Sequence, residues 1–219
     1  MTKNSRAANA CKISVLLLFS SILLGCNFAP SYQQPQDVVA ATVPDATPAP
    51  ALAPAVLAAA QADALQWLEE SKEYFDFIVI DFPDPSNFAL GKLYTAAFYR
   101  LIEKRLSANG LLVVQSTSPL YARQSFWCVV TTLESVGFKT APYHAQVPSF
   151  GEWGYIIAGR HDYVPGSVDP RKTRFLTPDT MPGLFVFPAD MARLPAEVNQ
   201  LNNQVLVRYF EAEWRKVIR

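Results

Sequence analysis

The stretch F-I-V-I-D-F-P-D-P, residues 77–85, decides the fold of this chain. Its apolar, β-branched run at 77–80 is typical of a strand that is buried on both faces of a parallel sheet. Asp81 stands where this strand ends, and ligands of open α/β sheets bind at the carboxyl ends of strands. The two prolines of the stretch cannot continue a sheet ladder, so they predict a rigid loop at 82–87, which follows Asp81 and carries Asp84. We expect a pair of carboxylates at the mouth of a pocket, suited to a cationic substrate; the alternative is a plain turn or helix cap.

The rest of the folded part alternates between strand and helix patterns. Such alternation indicates an α/β domain with a parallel sheet. The S-A-N-G segment at 107–110 is expected to end a helix. The apolar periodicity predicts strands at 77–80, 111–115, 142–147 and 154–158, the last two as a hairpin, and helices at 63–72, 91–106, 124–136 and 196–217.

No predicted strand is followed by a Gly-rich turn, which is the usual cradle for a nucleotide or an adenosyl group. A doubly wound domain normally begins with such a strand and turn. We therefore expect a partial sheet that lacks its first strands, with an α/β domain at 61–160 and a helical and loop appendage of the same domain at 161–219. Such a sheet would expose an unpaired edge and an uncovered apolar face, which favours self-association into a homo-oligomer.

The N-terminal part of the chain differs in composition from the rest. Basic residues precede an apolar run at 13–24 that is too short to span a bilayer comfortably and fits the core of a signal peptide. L-L-G-C at 23–26 predicts a lipoprotein leader at 1–26, in which a lipidated Cys26 anchors the chain to a membrane of the cell envelope; the alternative is a remnant of a membrane segment. The Ala- and Pro-rich segment 27–60 has little to pack and is expected to be an extended linker.

Composition limits the kinds of partner. The chain has 219 residues, with 19 Lys and Arg balanced by 19 Asp and Glu. These charges are scattered, so there is no electrostatic footprint for nucleic acid, and small molecules are the expected partners. Of the three cysteines, Cys128 stands alone in an apolar helical stretch, which indicates a buried, unpaired thiol. Neither a disulfide framework nor a metal site is indicated.

Three separated motifs resemble those of one enzyme family. They are D-F-P-D-P-S-N-F-A-L-G-K-L-Y at 81–94, L-L-V-V-Q-S-T-S-P at 111–119 and V-P-S-F-G-E-W-G-Y at 147–155. In this order they resemble the polyamine aminopropyltransferases, or spermidine synthases, and most closely the bacterial branch with an N-terminal block of membrane helices. The resemblance runs from about residue 63 to the C-terminus and so covers only the C-terminal half of such an enzyme. It implies a partial Rossmann-like sheet of the methyltransferase type.

The resemblance also implies a reaction, the transfer of an aminopropyl group from decarboxylated S-adenosylmethionine to putrescine, which yields spermidine and methylthioadenosine. A diamine carries two charges at neutral pH because its amines, like Lys, have pKa values of about 10. One amine must therefore lose a proton before it attacks the carbon beside the sulfonium, and a carboxylate in contact with it can serve as the general base. The donor brings its own leaving group, so no metal and no cofactor beyond this co-substrate is implied. The family acts on cytosolic metabolites, which implies the cytoplasmic side of the membrane.

The acids of this chain take their expected roles from the resemblance. Asp81 matches the family's proton acceptor, and Asp84 matches the second acid that holds the amine. Glu152, in the G-E-W-G motif, is a further candidate for binding the distal ammonium; the alternative is a solvated loop acid.

Four other residues match family positions. Asp63 and Ala64 match the pair that contacts the adenine end of the donor, and Tyr94 and Gln115 match residues that line the cleft. The Gly-rich donor loop has no counterpart, so we expect the acceptor side of the site in a truncated form that is inactive alone. The alternative is an exported lipoprotein that binds polyamines without reacting them.

Overall fold

The structure is a computed structural model that describes residues 64–166, 168–169 and 171–217, together with the backbone of 14–19 and 56–60. Cys26 and Asp63, as well as most of the predicted leader and linker, lie outside the described residues. Within the described part, no helix has both the length and the apolar character needed to cross a bilayer.

The described strands form one mixed sheet, in the order β2-β1-β3-β4-β6-β5. The first four in this order are parallel, β6 runs antiparallel to β4, and β5 and β6 form the predicted hairpin. The α/β class expected from the sequence is therefore confirmed. The strands are β1 (Ser14–Phe19), β2 (Val56–Ala60), β3 (Phe75–Asp81), β4 (Leu106–Gln115), β5 (Lys139–Val147) and β6 (Gly151–Gly159).

Strand β3 does not form an edge of this sheet, so the expectation of an unpaired edge there is wrong. Strand β1, from the predicted leader, pairs with it in parallel, with Leu18 opposite Ile80 and Phe19 opposite Asp81 in Cα register. Strand β2, from the predicted linker, pairs with β1 in turn. A free strand edge offers backbone donors and acceptors to any extended apolar segment, which explains how a run typical of a signal core can occupy this place. The assignment of 1–26 as a leader stays a prediction.

The helices cover one face of the sheet. They are α1 (Ala64–Glu70), α2 (Phe88–Gly91), α3 (Ala96–Arg105), α4 (Arg123–Ser135) and α5 (Val205–Val217), with a 3-10 turn at Lys92–Tyr94. A second 3-10 turn, Pro182–Phe185, packs through Phe185 on Tyr143, on the opposite face. The predicted helix at 196–217 begins only at Val205, because Gln204 has a φ of 40°, outside the helical range. The S-A-N-G segment is not a loop but the irregular first half of β4, where the pairing of β3 with β4 shifts register after Phe75.

The core lies between the helices and the face of the sheet that they cover, called here the helix face. Alternate residues of a strand point to opposite faces, and Ile78 and Ile80 of β3 are fully buried against α3 and α4 in one apolar cluster. On the opposite face Phe77 and Val79 are only half-buried. The sequence predicts burial of β3 on both faces, but among the described residues only one face is covered by helices.

The C-terminal segment fastens to the helix layer through Asn199, which is fully buried. Its amide nitrogen Nδ2 donates to the carbonyl oxygens of Gly91 and Tyr94, both at 3.1 Å, and its Oδ1 accepts from the backbone N–H of Leu206 at 3.3 Å. Its backbone N–H donates to Thr132 Oγ1 at 2.9 Å. Every polar group of this side chain is thus paired, which is the condition for a stable buried amide.

Candidate functional site

Asp81 is the last residue of β3 and begins a row of side chains across the face opposite the helices. Ile80 pairs with Val114, so the next residues along the two parallel strands, Asp81 and Gln115, are neighbours. Gln115 in turn lies opposite Tyr155 of β6. Since paired residues of adjacent strands point to the same face, the carboxylate, the amide and the phenol share this face.

The row ends in two stacked rings. Tyr155 lies opposite Tyr143 of β5, and their ring centroids are 5.1 Å apart with an angle of 17° between the planes. Burial raises the pKa of both phenols, that of Tyr143 to about 12, so both keep their protons at neutral pH. The rings supply a flat apolar wall beside Asp81, of the kind that packs against the methylene chain of a ligand.

Burial raises the pKa of Asp81 above the ordinary value of a carboxyl. The negative charge of Asp81 adds to the rise in the pKa of Tyr155, after the larger effect of burial, which shows that the two groups interact. A raised pKa makes a carboxylate a better proton acceptor near neutral pH. Asp81 therefore has an electrostatic property that suits a general base.

Asp84 lies on the loop between β3 and α2 and is the more perturbed of the two acids. Burial raises its pKa to about 6, and the hydroxyl of Thr117, which follows β4, acts in the opposite direction. Burial therefore disfavours the ionised form of Asp84 in the free chain. A cation placed beside it would restore its ordinary pKa, since opposite charges favour the ionised form.

Tyr94 holds the loop that follows Asp81 and carries Asp84. Its ring is 1% exposed, and its hydroxyl donates to the carbonyl oxygens of Phe82 at 3.2 Å and Pro83 at 3.1 Å. Burial, followed by the charges of Asp84 and Asp81, raises the pKa of the phenol well above its usual range, so it stays protonated and keeps donating. The sequence places Tyr94 in the lining of a cleft; the structure places it beneath the acid loop, as its support.

The structure does not bring Glu152 to the acid pair. Glu152 lies three positions before Tyr155 along β6, so the two side chains point to opposite faces and Glu152 points to the helix face. One of its carboxylate oxygens lies 2.5 Å from Nδ1 of His144, whose Nε2 lies 2.8 Å from the carbonyl oxygen of Val186. Glu152 therefore already has a partner, His144, within the chain.

Ala64 is the first residue of α1 and is buried, in contact with the apolar cluster. Its neighbour Asp63 lies outside the described residues, so the structure does not test the expected nucleoside contact. Cys128 is buried and free of any disulfide within the described chain, and burial raises the pKa of its thiol to about 12, which makes it inert. In the described ranges, no group of three or more His, Cys, Asp and Glu side chains is arranged to hold a metal ion.

Three residues of this site escape the sequence analysis, namely Tyr143, Tyr155 and Thr117. Tyr155 closes the motif at 147–155, but its place beside Asp81 depends on the register of β6 against β4. Tyr143 depends on the register of the hairpin in the same way. A signal for Thr117 is present in the sequence, since S-T-S at 116–118 follows a buried strand directly, next to the strand that ends in Asp81.

Comparison with known proteins agrees with the geometry. The sequence profile of the family described as "Spermine/spermidine synthase domain" matches residues 55–166. A polyamine aminopropyltransferase of Leptospira interrogans is 49% identical over 156 residues, which cover 71% of this chain and 31% of the relative. Polyamine aminopropyltransferase 2 of Ralstonia nicotianae is 52% identical over 160 residues, which cover 72% of this chain and 31% of the relative. The chain thus spans about a third of the length of these curated relatives.

Among solved structures, the fold is similar to a crystal structure of spermidine synthase in complex with the transition state analogue AdoDATO. The TM-score is 0.52 at 24% identity, over 60% of this chain and 48% of the other. At this identity the likeness supports the fold.

Proposed function

Since the chain belongs to the spermine/spermidine synthase family, we propose that the carboxyl edge of its sheet binds a diamine and accepts an aminopropyl group onto it. The donor in this proposal is decarboxylated S-adenosylmethionine and the acceptor is putrescine, in keeping with the names of its relatives. One observation carries the proposal: Asp81 ends β3, Asp84 lies on the loop that follows and that Tyr94 fixes from beneath, and burial raises the pKa of both acids.

Asp81 serves as the general base. An ammonium group of putrescine gives a proton to the Asp81 carboxylate, and the freed nitrogen lone pair attacks the carbon beside the sulfonium. The new C–N bond forms as the C–S bond breaks, and methylthioadenosine leaves with the bonding electron pair. A base with a raised pKa shares more of the proton in the transition state, which is the reason to place Asp81 in a partly buried position.

Asp84 holds the amine. In the free chain its ionised form is disfavoured by burial, and a bound ammonium removes that cost by pairing with it. Binding of the diamine is therefore coupled to loss of the proton from Asp84, and affinity falls as the pH drops below about 6.

The remaining members of the site orient the substrate. Gln115 stands beside Asp81 on the same face, and its amide oxygen can accept a hydrogen bond from the ammonium. The stacked rings of Tyr143 and Tyr155 pack against the methylene chain. Asp63 and Ala64 stay the proposed contacts of the adenine end, and Glu152 is left out because His144 occupies it.

The direct test is release of methylthioadenosine by the purified full chain, supplied with putrescine and decarboxylated S-adenosylmethionine. The proposal predicts release that Asp81→Asn abolishes and that Asp179→Asn, a change of an exposed acid elsewhere on the chain, leaves intact. Such release would overturn the expectation, drawn from the missing Gly-rich loop, that the chain is inactive alone. Binding of putrescine without release would support the alternative of a polyamine-binding protein. The absence of both binding and release would contradict the proposal.

Attachment to a membrane through the N-terminus is a separate proposal that rests on the L-L-G-C sequence at 23–26. Metabolic labelling with palmitate, with Cys26→Ser as the control, tests it. Label in both proteins or in neither would contradict it.

A further inference from the structure

The segment 182–187, called here the strap, contacts both faces of the sheet at β5, which is the last strand in the sheet order. On the face opposite the helices, called here the site face, Phe185 packs on Tyr143, with ring centroids 5.7 Å apart. Two residues later, Phe187 packs on Trp127 of α4, on the helix face, at 5.2 Å. The strap therefore passes around the edge of the sheet, and one of its ends supports the site face.

His144 fastens the middle of the strap to the sheet. It follows Tyr143 on β5 and so points to the helix face, where its ring packs on Phe187 at 4.8 Å. Its Nε2 lies 2.8 Å from the carbonyl oxygen of Val186, and its Nδ1 lies 2.5 Å from a carboxylate oxygen of Glu152. The side chains of His144 and Glu152 are only 14% and 20% exposed, so the pair is largely shielded from water.

The two acceptors around His144 determine where its protons lie. A carbonyl oxygen can only accept, so Nε2 carries a proton and donates it to Val186. The contact of Nδ1 with Glu152 needs a second proton, on the ring or on the carboxyl, and it orients the imidazole for the bond to the strap. The side chain of Val186 is 65% exposed, so the bond to its carbonyl oxygen, and not packing, fixes this point of the strap.

We propose that His144 is a positioning residue for the aromatic wall of the diamine site. It fastens the strap at Val186, and the strap holds Phe185 against Tyr143. Tyr143 in turn stacks on Tyr155, in the row of side chains that begins at Asp81. The inference rests on the function proposed above, because it concerns the wall on which the methylene chain of the diamine packs. It gives the His144 and Glu152 pair, which lies on the helix face, a role in a site on the other face.

The test compares two changes in this pair. His144→Phe keeps a ring against Phe187 and removes both hydrogen bonds, so it should release the strap. Glu152→Gln keeps the shape and removes the charge. Its amide can donate to Nδ1 while Nε2 still donates to Val186, so this change should leave the strap fastened.

Hydrogen exchange of the free full chain reports on the strap, in which the backbone N–H groups of Leu184 and Val186 donate to carbonyl oxygens of the same segment, both at 3.2 Å. These two amides should exchange about tenfold faster in His144→Phe, with α3 unchanged, while Glu152→Gln should match the wild type. Unchanged exchange in His144→Phe would overturn the inference. Faster exchange throughout the chain would also overturn it, because it would show a loss of stability without a local role.

The ring signals of Tyr143 and Tyr155 in ¹H NMR spectra of the free chain report on the wall itself. Stacked rings shift the signals of each other, and in His144→Phe these signals should move toward those of free tyrosine, whereas Glu152→Gln should leave them in place. Tyrosine signals that stay in place while the strap is released would show that the strap does not hold the wall, and this result would overturn the inference.

Calorimetry with putrescine tests the connection to the proposed function. The affinity should fall about threefold in His144→Phe, because a loosened wall packs less well on the methylene chain, and it should not change in Glu152→Gln. Equal affinity of His144→Phe and the wild type, or an equal loss in both variants, would overturn the positioning role. If the wild type binds no putrescine while the strap and the tyrosine signals still respond, the proposed function has failed and the fastening of the wall by His144 stands.

Discussion

Two polar clusters of this chain, one around Asn199 and one around Asp84, are connected through Tyr94 and differ in how well their groups are paired. Around Asn199, every donor and acceptor of the side chain is satisfied, by α2, by the turn at Lys92–Tyr94 and by α5. Around Asp84, the carboxyl is kept from its ordinary ionisation by burial, an effect that the hydroxyl of Thr117 only partly offsets. Tyr94 joins the two clusters, because its carbonyl oxygen bonds to Asn199 and its hydroxyl holds the acid loop.

The difference separates structure from function. A fully paired buried amide stabilises the fold and leaves nothing for a ligand to supply. A half-buried carboxyl whose ionised form is disfavoured lowers stability in the free chain at neutral pH, and carboxyls with perturbed pKa values are frequent at functional sites. The cluster around Asn199 thus stabilises the fold. A cation bound beside Asp84 would offset the cost of ionising its carboxyl, and this gain would contribute to binding.

The largest expected effect is on the paired cluster. Asn199→Ala should lower the free energy of unfolding by about 3 kcal/mol, since it leaves several buried backbone groups without partners. Urea denaturation measures this loss. Asn202→Ala, a change of an exposed asparagine three residues along, should be close to neutral. Equal effects of the two changes would contradict the assignment of Asn199 as the hub.

Removal of the Asp84 charge should raise the free energy of unfolding, whereas removal of the Asn199 amide lowers it. The pKa of Asp84 is higher in the folded chain, at about 6, than in the unfolded chain, so ionisation of Asp84 lowers stability as the pH rises from 4 to above 6. Asp84→Asn should therefore raise the free energy of unfolding by about 2 kcal/mol at pH 8 and change it little at pH 4. Thermal unfolding across this pH range measures the difference, with Asp179→Asn as the matched control. A destabilised Asp84→Asn at pH 8 would show that the acid is a structural group.

Loss of the Tyr94 hydroxyl, which connects the two clusters, should have the smallest effect on the free energy of unfolding. Tyr94→Phe removes one hydroxyl that bonds to the carbonyl oxygens of Phe82 and Pro83, and it should cost about 1 kcal/mol of stability. Tyr99→Phe is the matched control, because Tyr99 is equally buried and its hydroxyl is unpaired among the described residues. Tyr94→Phe should also weaken putrescine binding severalfold by loosening the loop, an effect that Tyr99→Phe should not share. Equal stability and equal putrescine affinity of the two variants would contradict the claim that the Tyr94 hydroxyl holds this loop.

The sequence predicts the parts of this fold that depend on local pattern. The run at 77–80 followed by Asp81, the strand at 111–115 and the hairpin follow from apolar periodicity and from where it stops. The apolar run at 13–24 shows the limit of that method, because the same composition suits a signal core and a buried strand, and β1 occupies part of it.

What the sequence does not predict depends on register and on distant contacts. Glu152 is a reasonable candidate as an isolated acid, and only the pairing of β5 with β6 brings His144 to it. Tyr94 belongs to a motif that suggests a cleft, but the fold turns its hydroxyl to the backbone of the acid loop. The late start of α5 depends on the positive φ of Gln204, which helical periodicity does not reveal.

Calorimetric titration of the full chain with putrescine at pH 8 and pH 5 tests the central claim most directly. With a pKa of about 6 for Asp84, the wild-type chain should bind at pH 8 and lose about tenfold in affinity at pH 5, while Asp84→Asn should bind weakly at both values and Asp179→Asn should follow the wild type. Equal affinity of the wild type and Asp84→Asn at pH 8 would contradict the claim that this buried carboxylate holds the amine.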